Sequence, residues 1–151
     1  MTVIAWDSRI VCSDSRSTDT AGGTMLCDKL FRVQKGPHKG HILATAGHDT
    51  AGMQFVEWWM DPKKEQPKIQ FEEEWFTICV FTPSGAFYAD DHCVLIPFQK
   101  GPYAIGSGAD VAIGAMAMGA GPAKAVRIAC RHNAFCGLPI QTMRLPERAF
   151  K

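Results

Sequence analysis

Thr2 needs one small step to become reactive. Methionine before a small residue is the usual signal for removal of the initiator, so Met1 is expected to be lost and Thr2 to become the N-terminus. A threonine hydroxyl alone is a weak nucleophile. A free α-amine has an ordinary pKa of about 7.7–8.0, so part of it is neutral near pH 7 and can take the hydroxyl proton. Nucleophile and base then share one residue, and no histidine is required. The chemistry this allows is amide hydrolysis through an ester on the threonine oxygen.

The surrounding pattern must hold that residue in place. Val3–Trp6 reads as a strand, Asp7-Ser8 as a tight turn and Ile10–Asp14 as a partner strand. Further strands are expected at Thr24–Gln34 and Ile42–Thr45. Thr50–Met60 reads as a helix, with Asp49 near its start and Pro62 after its end. Asp61–Lys68 is polar and bounded by proline, which marks a loop. Trp75–Phe81 and Ala86–Tyr88 flank the hairpin turn signal Thr82-Pro83-Ser84-Gly85. Short strands are expected at Val94–Phe98 and Tyr103–Ile105, and a last one at Pro139–Leu145. Asp110–Met118 and Ala123–Arg131 read as helices broken at Gly119–Pro122, with Pro122 suited to a helix N1 position. No internal repeat is present. The pattern by itself supports an α+β class.

Five motifs occur in an informative order. They are Thr2, the run Asp14-Ser15-Arg16-Ser17-Thr18, Lys29 before Leu30-Phe31-Arg32-Val33, Thr45-Ala46-Gly47 before a helix, and Gly106-Ser107-Gly108. Asn133-Ala134-Phe135-Cys136-Gly137 then falls where an Asp-x-x-Ser-Gly segment would complete the series. This order resembles the proteasome β-subunits and HslV-type peptidases of the N-terminal-nucleophile hydrolase superfamily. The resemblance covers nearly the whole chain. It implies one domain over residues 1–151 with a four-layer αββα sandwich, two packed antiparallel sheets flanked by helices. The family usually has two helices after the Thr-Ala-Gly segment. Here Pro62, Lys63, Lys64 and Pro67 leave room for one, so the chain resembles a shortened member of the bacterial and phage type.

The resemblance also implies roles. Thr2 would be the nucleophile, Lys29 the ammonium that favours its deprotonated oxygen, and Asp14 the partner that holds Lys29 charged. Gly47 would present its N–H to the oxyanion. Ser107, Asn133 and Cys136 would orient the Thr2 amine, with Asn and Cys standing where Asp and Ser are usual. Ser17, Thr18, Thr45 and Asp49 would line the substrate channel. Asn133 keeps a carbonyl acceptor without the charge, and Cys136 bonds more weakly than serine. The expected activity is a threonine peptidase; a weakly active scaffold subunit or a small-molecule amidase are the alternatives.

Composition narrows the partners. With 46% hydrophobic and 21% charged residues, the chain of 151 is not of disordered type and can bury a core. A net charge of +1 gives no electrostatic case for nucleic acid or a membrane surface. The apolar run Val111–Gly121 is too short to span a bilayer. Six cysteines without paired spacing and without an export signal suggest reduced thiols in a cytoplasm. No nucleotide-binding glycine loop is present, and no cofactor is expected. Asp90-Asp91-His92-Cys93 holds metal-ligand types, but neighbours on a strand face opposite ways, so no metal is expected either. Trp58, Trp59 and Trp75 read as core or subunit interface. Met53, Phe55, Trp58, Trp59 and the helix at Val111–Met118 supply apolar surface for a homo-oligomer. Expected partners are further copies of the chain and a peptide or unfolded protein, with an ATP-dependent unfoldase left open.

Overall fold

The computed structural model describes residues 1–47, 49–69, 76–90, 92–98 and 101–146. Among the described residues, runs of strands that pair antiparallel are separated by one helix and then by two, so the class is α+β. Two compact units are distinguished, Met1–Leu30 with Gly101–Arg144, and Phe31–Lys100 with Leu145–Lys151.

The first unit carries the N-terminus. Its main sheet contains β1 (Val3–Trp6), β2 (Ile10–Ser13), β10 (Tyr103–Gly106) and β11 (Gln141–Arg144), numbered in chain order. The strand order is β10-β1-β2-β11, every pair antiparallel. Val3, Ile4, Ala5 and Trp6 are all fully buried, so both faces of β1 are covered and its continuous apolar run is explained. Helices α2 (Ala109–Ala117) and α3 (Pro122–His132) pack on this sheet. Pro122, Ala125, Val126 and Ala129 of α3 are buried at the spacing of one helical face. Small residues there let the helix lie close to Val3, Ala5 and Cys12. Pro122 does stand in the first turn of α3, and Arg131 and His132 in its last turn complement the helix dipole.

In the second unit the sheet order is β5-β6-β7-β8-β9. These strands are β5 (Leu30–Arg32), β6 (Ile42–Gly47), β7 (Phe76–Thr82), β8 (Gly85–Ala89) and β9 (Leu95–Pro97). Helix α1 (Asp49–Met60) packs on β6 and β7 through Gly52, Phe55, Val56 and Trp59, again one face. The expected hairpin turn joins β7 to β8. Trp75 and Asp91 lie outside the described residues.

β2 ends at Ser13, within one residue of the expected Ile10–Asp14. Ser15 N–H donates to the Gly137 carbonyl at 2.9 Å and Arg16 N–H to the Asp14 carboxylate at 3.1 Å, so the chain leaves β2 and opens a separate β3 (Arg16–Thr18). Two other expectations are corrected. Thr24–Gln34 is two short strands in different sheets rather than one. β4 (Thr24–Leu26) pairs with β3 in a two-stranded hairpin, and β5 joins the second unit's sheet. Phe55 and Trp59 are not interface surface, because both are buried in the second unit's core. Val111, Ile113, Ala115 and Met116 pack partly against the first unit's own core, whereas Met118 is 89% exposed.

Candidate active site

Thr2 sits at the entry to β1 and is only 3% exposed. Its N–H donates to Ser107 Oγ at 3.2 Å. Its carbonyl accepts from Ser107 Oγ at 3.3 Å and from Gly108 N–H at 3.3 Å. The β1–β10 register, with Val3 opposite Gly106, delivers Ser107 to this point. Gly106 has φ +98°, a conformation other residues adopt at a cost, and a Cβ there would collide with the Thr2 carbonyl. The Gly-Ser-Gly run is thus shaped around the backbone of Thr2.

Asp14 follows β2 and is completely buried. Its Oδ1 accepts from Lys29 Nζ at 2.8 Å and Val3 N–H at 3.0 Å. Its Oδ2 accepts from Gly137 N–H at 3.0 Å and Arg16 N–H at 3.1 Å. Lys29 is 4% exposed, and its ammonium has three partners: Asp14 Oδ1, the Arg16 carbonyl at 2.6 Å and the Met1 carbonyl at 3.0 Å. All three ammonium protons are therefore used. A buried ion pair survives desolvation only when further hydrogen bonds complete both partners, as they do here.

Cys136 is buried with its Sγ 3.8 Å from Ser107 Oγ. Burial pushes its thiol pKa up and the Asp14 charge adds to this, while the hydrogen bond with Ser107 opposes both. Asn133 Nδ2 donates to the Ser107 carbonyl at 2.7 Å, and its Oδ1 accepts from Phe135 N–H at 2.9 Å. Its amide thus braces Ser107, the residue that itself meets Thr2. The first unit brings Thr2, Asp14, Lys29, Ser107, Asn133 and Cys136 into one network.

Ser17 and Thr18 lie half-buried on β3, opposite Met25 and Thr24 of β4. The other sequence candidates belong to the second unit. Gly47 ends β6 with φ +98°, which turns the strand toward α1 and favours glycine. Thr45 is half-buried on β6, and Gly52 of α1 leaves room for it: a Cβ there would come within 3.2 Å of its side chain. Asp49 opens α1 and is exposed. Asp90 Oδ1 accepts from His92 and Val94 N–H groups, so that carboxylate closes a turn.

Two residues of the network had no role assigned from sequence. Arg16 gives its carbonyl to Lys29 and donates from Nη1 to the Ala134 carbonyl at 3.0 Å, tying the 134–137 segment to β3. Gln141 holds the segment that carries Lys29 through its side-chain amide. Arg16 lies inside a quoted motif, whereas a glutamine opening an edge strand has no spacing that marks it.

No protein-family model and no curated protein matches the chain. Solved structures do. BPH of Thiobacillus denitrificans in complex with epoxomicin is 21% identical with a TM-score of 0.70, covering 97% of this chain and 100% of that one. HslV from Trypanosoma brucei is 17% identical with a TM-score of 0.67, covering 97% and 99%. Anbu (ancestral beta-subunit) from Yersinia bercovieri is 13% identical with a TM-score of 0.69, covering 99% and 83%. The α+β fold of this chain is that shared by BPH, HslV and Anbu.

Proposed function

We propose that the chain is a threonine-type peptidase whose nucleophile is Thr2 after loss of Met1. One observation carries the reading. The buried Lys29 ammonium donates at 3.0 Å to the carbonyl of the peptide bond joining Met1 to Thr2. Loss of Met1 turns the Thr2 amide into an amine with Ser107 Oγ 3.2 Å away. It also takes one of the three acceptors from Lys29, leaving an N–H within one peptide unit of Thr2. A cation held there by Asp14 favours a deprotonated threonine oxygen.

In this reading the Thr2 amine takes the hydroxyl proton and the oxygen attacks the scissile carbonyl. For the oxyanion this reading takes its donor from the family resemblance, the Gly47 N–H. The amine returns its proton to the leaving nitrogen as the C–N bond breaks, giving an acyl ester on Thr2. Water, deprotonated by the same amine, then releases the acid. Asn133, through its bond to the Ser107 carbonyl, and Cys136, beside Ser107 Oγ, support the serine that meets the amine. Ser17, Thr18, Thr45 and Asp49 are the substrate-lining residues of this reading. A peptidase of this kind is safest enclosed, and the exposed Met118, Leu26, Met25 and Leu138 supply apolar surface for a homo-oligomer. An unfoldase partner and a cytoplasmic setting belong to the same proposal. No helix among the described residues is long and apolar enough to cross a membrane.

A second reading, a scaffold subunit with little turnover, is favoured by the neutral Asn133, whose polar atoms are both engaged without reaching Thr2. Short fluorogenic peptides separate the two. The peptidase reading predicts turnover by protein lacking Met1, and none by protein with residues ahead of Thr2 or by Thr2→Ala. It also predicts that epoxomicin, the ligand of the BPH structure, raises the Tm of the Met1-free protein and not of Thr2→Ala. Absence of turnover with Met1 shown to be gone would overturn it in favour of the scaffold.

A further inference from the structure

We propose that Gln141 is the positioning residue for the Lys29 ammonium; only the kinetic arm of its test rests on the peptidase reading. Lys29 reaches Asp14 and the N-terminus through a flexible four-carbon stem, so the placement of its ammonium depends on what fixes its backbone. Cys27, Asp28 and Lys29 lie between β4 and β5 and belong to neither strand. The Gln141 side chain stands where a ladder partner would be. Its Oε1 accepts from Lys29 N–H at 2.9 Å and Leu30 N–H at 3.2 Å. Its Nε2 donates to the Cys27 carbonyl at 2.7 Å and Ser15 Oγ at 2.9 Å. Two acceptor sites and two donors are the full capacity of a primary amide. The opposite orientation would set the NH2 against two N–H groups and the oxygen against a carbonyl, so the network allows one orientation.

The main chain of Gln141 pairs with Ser13 in the β11–β2 ladder, and Asp14 is the next residue of that chain. One strand register therefore fixes both halves of the ion pair. It places Asp14 directly at the end of β2, and it places the Lys29 backbone through the Gln141 amide. Ser15, 3% exposed, gives that amide an immobile end. Gln141 contacts neither Thr2 nor any reacting atom in these bonds; its action passes through Lys29.

The test uses the full chain labelled with 13Cε-lysine, the Lys29 signal being assigned by its loss in Lys29→Met. Gln141→Met keeps side-chain length and removes all four hydrogen bonds. The Lys29 signal is expected to move toward the position of exposed lysines. In the peptide assay kcat is expected to fall roughly 10- to 100-fold with KM little changed, the scale on which a misplacement of about 1 Å acts. Ser15→Ala frees only one end of the amide and is expected to move both readouts the same way by less. Should Gln141→Met not fold, Ser15→Ala decides in the same terms. An unmoved Lys29 signal with unchanged kcat overturns the proposal. If the parent protein turns over no peptide, a moved Lys29 signal still supports the positioning role while the peptidase reading fails, and an unmoved one overturns the positioning role.

Discussion

Lys29→Met removes the cation and keeps much of the stem. Asp14 remains completely buried with three N–H donors, from Val3, Arg16 and Gly137, and no counter-charge. The Arg16 carbonyl loses a partner at 2.6 Å, whereas the Met1 carbonyl belongs to a residue 49% exposed and can rehydrate. Breaking a buried pair from one side costs about 3–5 kcal/mol. At roughly 2–4 °C per kcal/mol for a chain of this size, the Tm should drop by about 6–20 °C. Asp14→Leu should be worse, because it also strips the Val3 and Gly137 N–H groups, both in buried bonds, and the part-buried Arg16 N–H of their acceptor, at about 1–3 kcal/mol for each buried one. The double variant should lose less than the sum of the singles, since neither charge is then stranded. The assay is urea unfolding at pH 7 followed by circular dichroism, with unchanged m-values confirming a common transition. A Lys29→Met protein within about 0.5 kcal/mol of the parent, the range of ordinary surface substitutions, would refute the reasoning.

Gly106→Ala puts a methyl group where the Thr2 carbonyl lies, at a φ of +98°, so stability should fall by about 1–3 kcal/mol and peptide turnover with it; calorimetry and the fluorogenic assay check both. Asn133→Asp sets a carboxylate oxygen against the Ser107 carbonyl and adds charge one residue away from the Thr2 amine; stability should fall by about 1–3 kcal/mol and the pH optimum of turnover should rise, whereas an unchanged pH–rate profile would place Asn133 outside the working site. His41 has its pKa lowered, first by burial and then by the His38 charge, so its contribution is full above the ordinary value of 6.5 and is lost as pH falls from there through the lowered folded value; His41→Phe should flatten the acid limb of urea midpoints between pH 8 and 5. Burial raises the Cys79 pKa and brings that of Cys130 to about 11, so stability should decline as pH climbs above 9, and Cys79→Ala should reduce that slope.

Much of the site was legible because its residues are tied to strand ends. Thr2, Asp14 and Ser107 each lie directly beside a strand whose apolar pattern is plain in the sequence. The break between β4 and β5 was not legible. Thr24-Met25-Leu26 and Leu30-Phe31-Arg32 read as one strand because periodicity reports which residues are apolar and not what their main chain bonds to. The partner of Lys29 and Leu30 is a side-chain amide 111 or more residues away, at Gln141. Asn133 shows a second limit. Its place in the motif series points to the Thr2 amine, and its Nδ2 bonds the carbonyl of Ser107, whose Oγ meets Thr2, a contact that no spacing marks. Phe55 reads as interface surface and Trp59 as core or interface because size and apolarity suit both, and packing of α1 against β6 and β7 decides for the core.

Thr2 Oγ is the atom proposed to carry the acyl group. The direct measurement is acid quenching of the protein during hydrolysis of a slow acyl ester or peptide anilide, followed by intact mass and peptide mapping. The acyl mass is expected on the peptide that begins with Thr2, only in molecules lacking Met1, and none in Thr2→Ala. An acyl group on Cys136 or another side chain, or turnover by molecules that retain Met1, would contradict the proposal.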